Sequence, residues 1–261
     1  MTGVIELKTP GEIDAIDAAG SVVARVLAAV RERAAPGVRP RELDALAADM
    51  IADAGAVSSF LGYRPGWAPT PYPGVLCVSV NDAVVHGIPS RTKLRSGDLL
   101  SVDFAVHLDG WCADAAVSLV VGPGVPGDSA DEKLIATTEA ALQAGIDAAR
   151  PDGRLGDIGF AVAQVARGAG YGMLDGHGGH GVGRAMHEEP HVANEARPHR
   201  GLRLRPGLVI AIEPMLHAGG GDDYRHDPDG WTIRTADGSR AAHAEHTLAV
   251  TESGPRILTL P

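Results

Sequence analysis

The chain has 261 residues, 44% of them hydrophobic, with a formal net charge of -10 and two cysteines, which suffices for one large domain or two small ones around a buried core. The acidic balance argues against nucleic acid or an anionic membrane as the main partner. Residues 1–20 contain no apolar run that would export or anchor the chain, so Cys77 and Cys112 are expected as reduced thiols in the cytoplasm.

In chain order, Thr9-Pro10-Gly11-Glu12 reads as a capping box with proline at the first helical position. Ile13, Ile16, Gly20, Val23, Leu27 and Val30 then recur at helical spacing and predict a first helix over 10–33. Pro40 opens a second helix with Leu43, Leu46, Ala47, Met50 and Ile51 on one face and Gly55 beyond its end. The period changes to two over 75–80, 99–106 and 111–121, which predicts strands. A second capping box at Ser129-Ala130-Asp131-Glu132 starts a helix with Leu134, Ala141, Leu142, Gly145 and Ile146 as its stripe, and a shorter helix follows over 157–167. Sliding the chain by 115 positions lays Pro36, Arg39, Ala48, Ala54 and Gly55 on Pro151, Arg154, Ala163, Ala169 and Gly170. That match is weak alone but agrees with the repeated order helix, helix, strands. It predicts two related α/β halves, about 9–121 and 129–251, joined through the Gly/Pro-rich stretch 121–128.

Residues 176–191 pack four histidines and five glycines into one stretch, which reads as a flexible, side-chain-poor segment that approaches a ligand or metal closely. Within it His187-Glu188-Glu189-Pro190-His191 spells H-E-x-x-H, but Pro190 breaks the helix that motif needs, so a zinc-protease helix is not expected. Asp103 and Asp114 flank Asp109-Gly110, a hairpin signal. A four-residue loop sets the two aspartates directly opposite each other, a two-residue loop sets them diagonally, and either leaves them on one face. Such a pair is a solvated sheet face or a cation site. Glu213 closes the apolar run 208–212 and Glu245 opens another apolar strand over 245–250. Each is either paired with an arginine or a ligand, since an isolated buried charge is costly. Four carboxylates and one imidazole can hold two divalent ions about 3.5–4 Å apart, with a water acidified between them, which makes hydrolysis the expected reaction class.

In order and context, Asp103, Asp114, His180, Glu213 and Glu245 resemble the metal ligands of the methionine aminopeptidases. The resemblance extends over the runs 79–89, 179–190, 212–215 and 245–247, and covers the chain from about 7 to 258. It implies an α+β pita-bread fold, two pseudo-symmetric α/β halves around a central antiparallel sheet, forming one catalytic metallopeptidase domain over 1–261. It also implies roles. Asp103 and Asp114 would hold one ion, His180 and Glu213 the other, with Asp114 and Glu245 bridging, the ions being Co, Mn, Fe or Zn. A hydroxide shared by the ions would attack the first peptide bond, releasing the N-terminal methionine when the second residue is small. Glu213 would take the proton of the attacking water, His187 would stabilise the oxyanion, and His86 would contact the scissile amide. Tyr63, Tyr72, Cys77, Met186 and Trp231 would line the methionine pocket, apolar and polarizable walls that suit a thioether.

Three features depart from that family's usual pattern: Met186 where an aromatic residue is common, Phe60 where a small residue is common, and residues 64–71, which read as an insertion carrying Trp67 and three prolines. Lacking a zinc-binding N-terminal extension and a helical insertion between Glu213 and Glu245, the chain resembles the type I branch. The expected partners are N-terminal methionyl peptides and nascent chains, with the ribosome as a candidate and neither nucleic acid nor membrane, for a cytoplasmic monomer. The rivals are an X-Pro aminopeptidase or prolidase of the same fold, and a metal-free binding protein on this scaffold.

Overall fold

A computed structural model describes residues 5–122 and 130–261. The first half runs α1 (Pro10–Arg33), α2 (Pro40–Asp53), β1 (Val57–Ser58), β2 (Cys77–Val80), β3 (Ala83–Val85), β4 (Leu99–Leu108) and β5 (Trp111–Val120). The second begins with α3 (Ala130–Ala148), α4 (Leu155–Gly168), β6 (Gly172–Met173), β7 (Gly178–Gly181), β8 (Glu188–Ala193) and β9 (Val209–Ile212). It ends with β10 (Met215–His217), β11 (Tyr224–His226), β12 (Ile233–Thr235), β13 (Ala241–His243), β14 (Glu245–Thr251) and β15 (Gly254–Ile257).

The helix signals act as local chemistry says they should. At α1 the Glu12 carboxylate accepts from the Thr9 backbone N–H at 2.8 Å while the Thr9 hydroxyl accepts from the N–H of Glu12, and Pro10 occupies a position that needs no donor. The whole expected stripe from Ile13 to Val30 is buried. Residues 123–128 of the expected joint, and Ser129 of the second capping box, lie outside the described residues. Helices α2 and α4 are displaced by 115 positions at both ends, as are the two-residue strands β1 and β6 that follow them. At their starts Glu42 caps the N–H of Arg39 and Asp157 that of Arg154, and both end on a glycine of positive φ, Gly55 and Gly170.

A nine-stranded antiparallel sheet runs β1-β4-β5-β14-β9-β7-β8, with β2 on β4 and β15 on β14, and its middle joins the two halves through β5 and β14. One core packs α1 and α2 on β4 and β5; a second packs α3 and α4 on β9 and β14. On the face that carries the site, a small sheet of order β13-β10-β6 packs on β4 and β5, with Ser118 donating to the His243 carbonyl, and a second, β11-β12-β3, lies beside it. Among the described residues no helix is long and apolar enough to cross a membrane.

The glycine-rich stretch departs from expectation. It holds two paired strands, β7 and β8, with an irregular register between Gly179 and Gly181. The reason is close approach: a Cβ on Gly179 would run into the carbonyl of Ala211, and one on Gly181 into the carbonyl of Glu189. These glycines let strands lie tightly rather than letting them move. The H-E-x-x-H residues are likewise not a helix, because Glu188–Ala193 is a strand and Glu188 accepts from Lys8 Nζ at 2.8 Å and from the Ala185 N–H at 3.1 Å.

Replacing Gly179 by alanine is therefore expected to cost about 3 kcal/mol, the upper range for overpacking. At Gly168, in the last turn of α4 with open space around it, the same change should stabilise by about 0.4–1 kcal/mol. Urea unfolding of the two variants checks the contrast, and equal effects would show that close approach is not what selects glycine at 179.

Candidate metal centre

Four strands of the sheet, β4, β5, β14 and β7, each carry one of the expected ligands, and the fifth, Glu213, follows directly on β9, which lies between β14 and β7. The Asp109-Gly110 turn, both residues at positive φ, closes a two-residue loop between Leu108 and Trp111, so the diagonal register is the one adopted. Asp103 pairs with Ala116, two residues from Asp114, and Ala116 pairs on its other side with Glu245. His246 pairs with Ile212, which brings Glu213 beside Glu245 just past the end of β9. Cross-strand partners share a face, so Asp103, Asp114, Glu245 and Glu213 stand together around the small side chain of Ala116. Thr247 locks this register, its hydroxyl donating to the Asp114 carbonyl at 2.8 Å and receiving the Asp114 N–H at 3.0 Å. His180 on β7 completes the group, its Nε2 3.6 Å from Glu213 and 3.9 Å from Asp114.

The cluster is electrostatically unbalanced. Burial pushes Asp114 up to about 7. Burial, then the charges of Asp114 and Glu213, hold Asp103 well above the usual carboxylate range; burial and then Asp114 do the same to Glu213 and Glu245. Buried oxygens of Asp103, Asp114 and Glu245 have no hydrogen-bond partner. Among the described residues no lysine or arginine pairs with any of the four, which removes the salt-bridge reading of Glu213 and Glu245. Burial, followed by the nearby His187, lowers His180 to about 3. Its Nδ1–H donates to the Gly181 carbonyl at 2.9 Å, so the lone pair on Nε2 faces the carboxylates. Ligand atoms of Asp114, His180 and Glu245 all lie within 4.8 Å of one another. Unpaired carboxyl oxygens whose charge burial disfavours, set around a neutral imidazole, fit divalent cations, which would stabilise the ionised form.

All twelve residues singled out in the sequence line one cavity of about 840 Å³. His86 sits at its wall with φ of 57°, a left-handed conformation in which a non-glycine residue is strained, and its buried Nδ1 has no partner. Burial lowers both His86, to about 3, and His187, so each is neutral near pH 7. His187 meets His180 edge-on, with ring centroids 4.3 Å apart, and Tyr63 Oη lies 3.3 Å from its Nδ1. Tyr72, Trp231, Cys77 and Met186 are buried, whereas Tyr63 stands at the rim, 36% exposed. Neither cysteine is in a disulfide; burial raises both thiols.

Two neighbours were missed in the sequence. His243 is fully buried with both ring nitrogens unpartnered, and its Nε2 lies 3.6 Å from Glu213 and 4.0 Å from Glu245. Its place two residues before Glu245 was the only nearby signal, and it ends β13 rather than sharing β14 with Glu245. Trp67, in the insertion, lies against His86.

A pita-bread fold whose halves meet at a buried carboxylate and imidazole cluster defines a class, the metal-dependent hydrolases built on this scaffold. The chain belongs to metallopeptidase family M24, whose model matches residues 14–252. Methionine aminopeptidase 1 of Mycobacterium tuberculosis is 48% identical over 264 residues, covering 98% of this chain and 96% of that protein. The methionine aminopeptidase of Aquifex aeolicus is 43% identical over 98% of both. The crystal structure of a methionine aminopeptidase from Thermotoga maritima superimposes with a TM-score of 0.92 at 37% identity, over 99% of this chain and 100% of that one. A prolidase from Pyrococcus furiosus matches with a TM-score of 0.74 at 22% identity over 65% of its own length, which shows a shared fold and no more. The relatives named for methionine removal thus match end to end, and the X-Pro and metal-free readings are not favoured.

Proposed function

We propose that the chain is a divalent-metal aminopeptidase that removes the N-terminal methionine from polypeptides whose second residue is small. The observation that carries this is the convergence of four carboxylates and His180 from, or directly after, five adjacent strands, in a chain similar over nearly its full length to methionine aminopeptidases. In the proposed assignment Asp103, Asp114, His180, Glu213 and Glu245 hold two ions, of Mn, Fe, Co or Zn, a choice supported by oxygen donors with a single imidazole. Bound cations supply a water acidified toward neutral pH and positive charge near the scissile carbonyl.

The remaining work falls to this chain's own side chains. Glu213 takes the proton of the attacking water, and His243, 3.6 Å from its other oxygen, orients that carboxylate. Asp103 binds the substrate's amino group. His187, neutral and held by Tyr63 at Nδ1, presents Nε2 to the developing oxyanion. His86 contacts the scissile amide and helps its nitrogen leave. Tyr72, Trp231, Cys77 and Met186, with Tyr63 at the rim, enclose the methionine side chain in apolar, polarizable walls that exclude water. We extend the proposal to a monomer acting in the cytoplasm on nascent chains as they leave the ribosome.

The test is a comparison of Met-Ala-Ser with Ala-Pro-Ser as substrates for the manganese- or cobalt-loaded protein. Release of free methionine from the first, at 100-fold or more the rate on the second, is expected, an order-of-magnitude figure for a pocket built around one side chain. Preference for the proline peptide would overturn the substrate assignment.

A further inference from the structure

The insertion at 64–71 is a closed, docked loop. Its ends pair, with the Tyr72 N–H donating to the Tyr63 carbonyl and the Gly62 N–H to the Tyr72 carbonyl, both at 2.9 Å. Arg64 reaches across it to the Pro69 carbonyl at 3.0 Å, and Trp231 Nε1 donates to the Thr70 carbonyl at 3.1 Å. Pro69 packs directly on Gly230, where a side chain would not fit. The loop is therefore pinned to the cavity wall at several points.

Its aromatic residues stand on both proposed catalytic histidines. Tyr63, at the start, lies 5.8 Å from His187, while Trp67, near the middle, stacks 6.0 Å from His86 with 22° between the rings. Trp67 also meets Trp231 edge-on at 5.0 Å, and Trp231 meets Tyr72 in the same way at 5.0 Å. This file of rings runs outward from Tyr72, 1% exposed, through Trp231, 3%, to Trp67, 56%. The inner two belong to the proposed methionine pocket. Trp67 belongs to the mouth. A peptide whose first amide lies between His86 and His187 has to send its later residues out past the edge that Tyr63 and Trp67 form, and a large apolar ring left half in solvent there has area to bury against them.

We propose that Trp67 is a specificity-determining residue that contacts the third residue of the substrate, giving this enzyme a preference for peptides with an aromatic residue at that position. This rests on the reading of the chain as a methionine-removing enzyme. The contact is made before and during the reaction alike, so it acts mainly through KM.

The experiment measures kcat/KM of the metal-loaded enzyme for Met-Ala-Phe and Met-Ala-Gly, and for Met-Ala-Phe and Leu-Ala-Phe, in the wild type, Trp67→Ala and Trp67→Phe. The wild type is expected to prefer Met-Ala-Phe over Met-Ala-Gly by about three- to tenfold, the worth of one aromatic contact. Trp67→Ala should bring that ratio to about 1, and Trp67→Phe should keep most of it. A ratio that survives in Trp67→Ala overturns the proposal. So does a change confined to the Met against Leu ratio, which would make Trp67 part of the methionine pocket. Failure of every variant and the wild type to release methionine from any of the peptides would instead sink the underlying reading, and this inference with it.

Discussion

Glu213→Gln is expected to lower kcat/KM on Met-Ala-Ser by about 10²–10⁴-fold, the usual worth of a general base, while the protein still folds and still takes up metal. Glutamine keeps one oxygen as a donor but has no carboxylate to accept the proton of the attacking water. The fold should survive because Glu213 donates no packing to either core; it stands past the end of β9 in the cavity wall. Removing one of four crowded carboxylates should even stabilise the metal-free protein, since burial and Asp114 both work against the charge of Glu213. Loss of activity with unchanged or higher stability without metal is thus the signature of this residue. A variant as active as the wild type would refute the assignment of the base, and one that unfolds would place Glu213 in the structural core instead.

Metal removal should produce the second large effect. With a chelator present, activity should fall to background and the buried carboxylates should be left to repel one another. Restoring manganese at about 100 times its Kd should stabilise the fold by about 2.7 kcal/mol, which for a chain of this size raises Tm by about 5–10 °C. The response should be selective: Asp114→Asn, which alters a residue facing His180 and Glu245 at the centre of the group, should abolish most of the shift. An identical Tm with and without metal would mean that the cluster balances its charge some other way. Calorimetric scans of chelated and metal-loaded protein decide it.

How far the sequence carried the structure depends on how local each feature's causes are. Helix α1 was legible to the residue, because Thr9, Pro10 and Glu12 settle its start within one turn and the Ile13 to Val30 stripe settles its face. The hairpin was legible in kind but not in register, since Asp109-Gly110 permits two loop lengths and only pairing along the whole of β4 and β5 selects one. The short helix α4 extends a residue or two beyond the predicted 157–167 at each end, within the reach of fraying and capping. Strand β2 starts at Cys77 rather than at 75, because Val75 and Leu76 spend their N–H groups on the Asp44 carboxylate instead of on a neighbouring strand.

The glycine-rich stretch lies at the cavity as expected, but its expected flexibility was wrong for a physical reason. Glycine there reads as freedom when the sequence is taken alone, whereas its cause is the nearness of Ala211 and Glu189, which no local pattern reveals. The same limit applied to His243 and Trp67. His243 stands two residues before Glu245, yet it lies on β13, and its approach to Glu213 depends on β13 pairing with β10, where it faces Met215. Trp67 was visible as an oddity among prolines, but its contact with His86 depends on the docking of its loop against Gly230 and Trp231 far along the chain.

The central claim, that this cavity holds cations and uses them to free an N-terminal methionine, is tested most directly by titrating the metal-free protein with manganese or cobalt while following free methionine released from Met-Ala-Ser. Activity is predicted to rise from background and to saturate, with two ions bound per chain at the plateau. Methionine release that is independent of added metal, or no release at any metal concentration, would contradict it.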